Sequence, residues 1–322
     1  MTGEGFSTRF TERFGVRLPI VLAPMAGWTH GPMAAAVSAC GGLGSFGASD
    51  PGQPDRWVAE QIEAIRSATT EPFAVGFNTH SLDRVAARFD ITVETEPPAV
   101  ILSFSNPQPW LDRAHDAGCK VICQVQTVEQ AVSARDEGAD ALVAQGTEAG
   151  GHTGQMGLFP LLASVLRRCP DIPVLTAGGV GDAASLAAVM ALGADGALLG
   201  TAFLASEEAP ALHPRAKKVI VDSDGGTTVW TRAYDIAMGL SFPEGIGARV
   251  HANAFTRRWE GREQMLAEQR DAVAGHLRAF DSEPDDEAWL MYGQSAAFID
   301  AVRPIAEIMR KFESGLESTR QL

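Results

Sequence analysis

The sequence predicts a (β/α)8 (TIM) barrel, an α/β fold, with a mainly helical excursion after the eighth strand. Three observations predict it. Short apolar, β-rich runs recur eight times at intervals of about 20 to 30 residues. Ala-rich amphipathic stretches lie between them, and glycine tracts follow the seventh and eighth runs directly. Strand and helix alternating eight times is the arithmetic of a closed parallel barrel.

The runs begin near Ile20, Leu43, Phe73, Ala99, Lys120, Ala141, Ile172 and Gly196. They are apolar without strict alternation, which suits strands covered on both faces. Helices are predicted over 32–39, 56–67, 128–137, 161–168 and 183–192. A doubly wound sheet is the competing fold. It would place a glycine fingerprint after its first strand, whereas Gly41-Gly42-Leu43-Gly44 precedes a strand. After Leu204 the beat stops and the chain becomes more polar. The reading divides the chain into a cofactor-binding barrel (1–205), a helical lid or accessory region (206–290) and a segment that returns to the barrel (291–322). Within the second part, 257–278 reads as a charged helical stretch and 281–286 as a solvated acidic linker. In the third, one amphipathic helix over 295–313 supplies the last barrel helix.

Composition narrows the function classes. Of 322 residues, 45% are hydrophobic and 20% charged, an ordinary globular balance that can bury a barrel-sized core. A formal net charge of -14 repels phosphate backbones and anionic lipid, so neither nucleic acid nor a membrane surface is expected as a partner. No run approaches the length of a membrane span, and the polar first residues lack the apolar core of a signal peptide. Cys40, Cys119, Cys123 and Cys169 show no paired zinc spacing and read as reduced, buried thiols of a cytoplasmic protein.

Barrel chemistry sits at the C-terminal ends of the strands. After the sixth run comes Gln145-Gly146-Thr147-Glu148-Ala149-Gly150-Gly151-His152-Thr153-Gly154. Dense glycines let backbone amides approach a ligand, and His152, in a loop at the site end of a strand, can exchange a proton near neutral pH. Ala177-Gly178-Gly179 follows the seventh run and Leu199-Gly200-Thr201 the eighth. Adjacent loops there, with free amides and a hydroxyl, form the usual barrel phosphate site and imply a phosphorylated cofactor or substrate. Ala23-Pro24-Met25 at the first strand end offers a surface for a planar ring. Asn78 and Gln124 end the third and fifth strands as amides that both donate and accept, with strand-end capping as the competing reading. His30 and His80 follow the first and third strands, and His80 is the stronger candidate of the two. His115, His213, His251 and His276 read as solvated or structural. No His/Asp/Glu cluster has metal-ligand spacing, so no metal is predicted.

These motifs together, from about Phe10 to Leu204, resemble the nitronate monooxygenase (2-nitropropane dioxygenase) family of FMN-dependent TIM-barrel oxidoreductases. Glu148-Ala149-Gly150-Gly151-His152 is the most specific part of the match. The resemblance implies FMN as cofactor, with Ala23, Pro24 and Met25 along the isoalloxazine and Asn78 and Gln124 at its polar edge. It places Gly178, Gly179, Gly200 and Thr201 at the phosphate and makes His152 the catalytic residue, flanked by Gly150 and Gly151. Tyr292-Gly293-Gln294 resembles a late segment that returns to the flavin, which adds Gln294. The implied reaction is oxidation of an alkyl nitronate, or of a nitroalkane, by oxygen to a carbonyl compound and nitrite. The chain departs from nitronate oxidisers in having only two tyrosines, Tyr234 and Tyr292, and some relatives carry Lys where Gln124 stands. Enoyl-acyl-carrier-protein reductases and quinone reductases that use FMN and NAD(P)H resemble the chain too, and a non-catalytic flavin-binding protein is a third reading. A flavin-free isomerase or lyase of a sugar phosphate would want a Lys or paired carboxylates at the strand ends, which are Gly, Asn, Gln and His here. A homodimer is compatible with all of these.

Overall fold

A computed structural model describes residues 6–277 and 286–319. Eight parallel strands form one sheet: β1 (Ile20–Leu22), β2 (Gly44–Gly47), β3 (Phe73–Asn78), β4 (Ala99–Ser103), β5 (Lys120–Val125), β6 (Ala141–Gln145), β8 (Val174–Ala177) and β9 (Gly196–Leu199), with β7 (Gly151–Thr153) outside it. Their order, β1-β9-β8-β6-β5-β4-β3-β2, becomes a ring where Val21 bridges Leu43. The chain is a TIM barrel, as the beat predicts.

The strands are continuous apolar runs because they face two cores. Ala99, Ile101, Ile122, Val143, Leu175 and Leu198 fill the barrel interior, while Val100, Leu102, Val121, Leu142 and Val174 pack outward against the helices. The helix Arg9–Phe14 adds Phe10 and Phe14 to the interior cluster. It is fixed at the N-terminal end of the barrel by Arg9–Asp195 and Arg13–Asp140 ion pairs. The opposite end is therefore the open one.

The predicted helices are present at Gly31–Ala39, Trp57–Ala68, Val128–Asp136, Leu158–Arg168 and Ala183–Ala191. The helix expected over 295–313 is not one helix. A 3-10 turn, Gln294–Phe298, ends before a loop, and the last α-helix is Ile305–Thr319. Pro304 explains the break: it lacks an N–H and forces its predecessor away from helical geometry, so the helix starts just after it. Gly315 lets this helix lie against the helix Ala183–Ala191, because a Cβ there would sit 2.2 Å from Ala183 Cβ.

The excursion contains helices Pro214–Val221, Ala233–Met238, Ala254–Trp259, Glu263–Glu268 and Arg270–Ala274, so the expected stretch 257–278 is divided, with Gly261 in left-handed geometry at one break. It also contains two strands that the sequence reading does not predict, β10 (Thr228–Thr231) and β11 (Gly247–His251). These pair antiparallel with each other, and β11 pairs with β7 in the register Ala248↔His152. His152 is thus on a short strand, not in the loop expected for it. The expected acidic linker lies outside the described residues except for Asp286. Among the described residues, no helix is long and apolar enough to cross a membrane.

Candidate active site

The C-terminal mouth of the barrel holds a cavity of about 670 Å³. Ala23, Pro24, Met25, Asn78, Gln124, Gly150, Gly151, His152, Gly178, Gly200 and Thr201 all line it, so eleven of the thirteen predicted site residues meet there. Gly179 and Gln294 adjoin wall residues without lining the cavity themselves. His80 lines it and His30 does not.

The floor depends on missing side chains. A Cβ at Gly76 would lie 2.2 Å from Pro24 Cβ, so glycine there lets Pro24 cross the sheet end. A Cβ at Gly150 would lie 2.4 Å from the Tyr292 carbonyl carbon, so the late segment packs directly on the His152 loop. Gln294 N–H donates to the Glu148 carbonyl (3.0 Å), and Gly293 N–H donates to Thr201 Oγ1 (2.9 Å), leaving the Thr201 hydroxyl proton to give elsewhere. Gly178 and Gly179 have φ of 91° and 69°, a backbone that side-chain-bearing residues rarely adopt. Among the described residues, the N–H groups of Gly178, Gly179 and Gly200 have no acceptor. The side-chain amides of Asn78 and Gln124 likewise have no partner among the described residues, although Gln124 is buried. The two sets of unsatisfied donors, with a clear floor between, suit a ligand that carries an anionic group and a polar planar ring.

Gln145, Gln126 and the His152 carbonyl form a short chain: Gln126 Nε2 donates to Gln145 Oε1 (2.9 Å), and Gln145 Nε2 to the His152 oxygen (3.0 Å). Glu148 accepts from Leu158 N–H with both carboxylate oxygens at 3.0 Å, so its place in the motif is to hold the next helix start.

His152 meets residues the sequence reading missed. Its Nε2 lies 2.8 Å from Asp235 Oδ1, with the two side chains only 12% and 5% exposed. Its ring stacks on Phe242 with centroids 3.5 Å apart and planes 11° apart, and Phe104 meets it edge-on at 6.3 Å. Phe104 has φ of 77°, costly for a bulky residue at about 1–3 kcal/mol, which the packing at this strand end holds in place. Phe242 also packs on His80, at 4.3 Å. Burial pushes the His80 imidazole below the ordinary histidine value, reinforced by His152 and Arg84 and opposed by Asp235. No spacing rule links Asp235 or Phe242 to a histidine 83 or about 90 residues earlier. The one available hint is Gly239 and Gly245, both left-handed, bracketing a segment with a single phenylalanine.

The family model for nitronate monooxygenase matches residues 7–85 and 75–314. The chain belongs to the nitronate monooxygenase family. It is an oxidoreductase of that flavin-dependent group. A nitronate monooxygenase from Paraburkholderia phytofirmans is 29% identical over 303 residues, covering 80% of this chain and 79% of the relative. The structure of FabK from Thermotoga maritima superposes with a TM-score of 0.83 at 30% identity, over 98% of this chain and 97% of that one. A nitroalkane oxidase from Streptomyces ansochromogenes superposes with a TM-score of 0.79 at 27% identity, over 98% and 99%.

Proposed function

We propose that this family member binds FMN and oxidises alkyl nitronates, or nitroalkanes after deprotonation, with oxygen as acceptor, to a carbonyl compound and nitrite. The observation that carries the reading is a nearly buried histidine, His152, on the wall of a cavity whose donors suit a phosphorylated planar ring. Gly178, Gly179, Gly200 and Thr201 would hold the phosphate, Ala23, Pro24 and Met25 the ring face, and Asn78 and Gln124 its polar edge. Gly150 and Gly151 would allow close approach beside His152, and Gln294 would tie the late segment to that loop through its N–H. When bound, FMN supplies the electron-accepting chemistry and its return to oxygen. The protein supplies the proton step. His152 Nδ1 has no partner among the described residues and is the ring nitrogen free to take the Cα proton of a neutral nitroalkane. Phe242 and Phe104 hold the ring plane while that happens. We further propose that 206–290 acts as the lid over the barrel of 1–205, with 291–322 closing its side.

The test is oxygen uptake by the purified yellow protein with a small nitroalkane and with its nitronate. His152→Ala is expected to lower nitroalkane turnover by about 10²–10⁴-fold, the usual range for a general base. A protein that cannot be loaded with FMN would refute the proposal.

A second reading, NAD(P)H-linked reduction of an enoyl thioester or a quinone, is supported by the superposition on FabK. It also draws on the apolar outer wall of Trp28, Met238, Trp289 and Met291. Anaerobic mixing with NADH separates the two: rapid bleaching of the flavin favours the reductase.

A further inference from the structure

We propose that Asp235 is a positioning residue that sets the tautomer of His152 and so makes it a base. This rests on the reading of His152 as the proton acceptor and names the group that would confer that role.

Asp235 is 5% exposed, and Oδ1 meets His152 Nε2 at 2.8 Å, while Oδ2 is buried with no partner. A carboxylate held out of water needs a donor, because an unsatisfied buried charge costs far more than a satisfied one. The donor Asp235 faces is the His152 ring, which therefore carries its proton on Nε2. The lone pair is then on Nδ1, which has no hydrogen-bond partner among the described residues, on a ring whose residue lines the cavity. The opposite tautomer would set a lone pair against the carboxylate and leave Nδ1 unable to accept.

The same contact stabilises the product of the step. When the Cα–H bond of a nitroalkane breaks, its electron pair passes into the nitro group to give the nitronate, and the proton goes to Nδ1. The imidazolium so formed lies against the carboxylate of Asp235. His80 is the other titratable ring in the aromatic cluster. Burial, then the neighbouring His152 and Arg84, lower it from the ordinary histidine value, and Asp235 opposes them.

The geometry also explains why the pair is rigid. His152 is on β7, and Asp235 is on the helix Ala233–Met238, in the excursion. β11 joins the two regions by pairing with β7. Thr231 Oγ1 accepts from Ala233 N–H at 3.0 Å, which ties the start of the Asp235 helix to the end of β10.

The test uses a substrate pair that differs only by the proton in question. Asp235→Asn is expected to lower kcat for a neutral nitroalkane by at least about 100-fold, with a loss of under about tenfold for the pre-formed nitronate. A merely structural role would lower both alike, and that result would overturn the proposal. A second readout is independent of turnover: ¹⁵N shifts of the histidine ring in the full chain. The wild type is expected to show Nε2 protonated and Nδ1 bare, and Asp235→Asn to show a mixture. A wild-type ring protonated on Nδ1 overturns the proposal even if nitroalkanes are not the substrate. If the tautomer is as expected but neither nitroalkane nor nitronate is consumed, the functional reading fails and the assignment of Asp235 stands.

Discussion

The barrel and the excursion bury their strands differently. All five residues of β4 are buried, as are those of β6, whereas none of the four in β10 is fully buried. A strand between two cores needs no polar face, so its sequence is an unbroken apolar run. The edge strand of a small three-stranded sheet has only one neighbour, and Thr228-Val229-Trp230-Thr231 shows it. The difference teaches where the site comes from. The barrel supplies the floor, the unpartnered amides and Phe104 at the edge of His152, while the excursion supplies Asp235 at one ring nitrogen and Phe242 on the ring face. At Gly76 and Gly150 the first half leaves no room for a Cβ, and the second is held by side-chain contacts that can be trimmed.

The sharpest way to break this contrast is to add a side chain to each region. Gly76→Val forces a Cβ to within 2.2 Å of the rigid ring of Pro24. Overpacking of this kind costs about 1–3 kcal/mol, and here it also displaces the floor. The variant is expected to lose most bound flavin, read from its absorbance, and to melt several degrees lower. Gly275→Ala in the excursion meets nothing within 4 Å and has φ of -64°, so it is expected to melt within about 1 kcal/mol of the wild type with full flavin content. Equal flavin loss in both would show that the floor is not the tight region.

A smaller effect is expected on trimming the excursion's contact. Phe242→Ala removes the ring stacked on His152 but leaves the floor intact. An aromatic pair is worth about 0.5–1.5 kcal/mol beyond its burial, so kcat/KM for a neutral nitroalkane should fall by about tenfold with flavin content unchanged. Loss of flavin here would move Phe242 from the substrate side of the cavity to the cofactor side.

The same contrast decides what was legible in the sequence. Runs such as Ala99-Val100-Ile101-Leu102 announce a barrel because their burial is local to each strand. The place of Gly178 and Thr201 on the cavity wall was legible because each follows closely on its strand in consecutive residues. Asp235 was not, because a carboxylate 83 residues from its histidine carries no local mark, and only the pairing of β11 with β7 brings it close. The strand at Gly151–Thr153 was hidden for the same reason: its partner is the unpredicted β11. The helix expected over 295–313 failed through Pro304, a signal present in the sequence and outweighed there by the amphipathic pattern on either side.

The smallest expected effect tests the barrel end remote from the site. Asp140, just before β6, accepts from Val121 N–H (2.8 Å) and His115 Nε2 (2.9 Å) and pairs with Arg13 on the N-terminal helix. Burial alone would raise this carboxyl, but the hydrogen bonds from Arg13, Val121 and His115 outweigh it and hold it below the ordinary aspartate value. A group lowered on folding contributes stability above its unfolded value, about 3.9, and loses it as pH falls through the folded one. Asp140→Asn is therefore expected to be less stable than the wild type by about 1–2 kcal/mol near neutral pH, since Arg13 and His115 are themselves partly exposed. The gap should start to narrow as pH falls toward the unfolded value, about 3.9, and close only as pH falls through the lower folded one. Thermal melts of both proteins at neutral and acid pH read it directly, and flavin content should stay the same at neutral pH because this end of the barrel does not touch the cavity. A gap that widened toward acid would mean that the unfolded chain, not the native contacts, lowers the carboxyl.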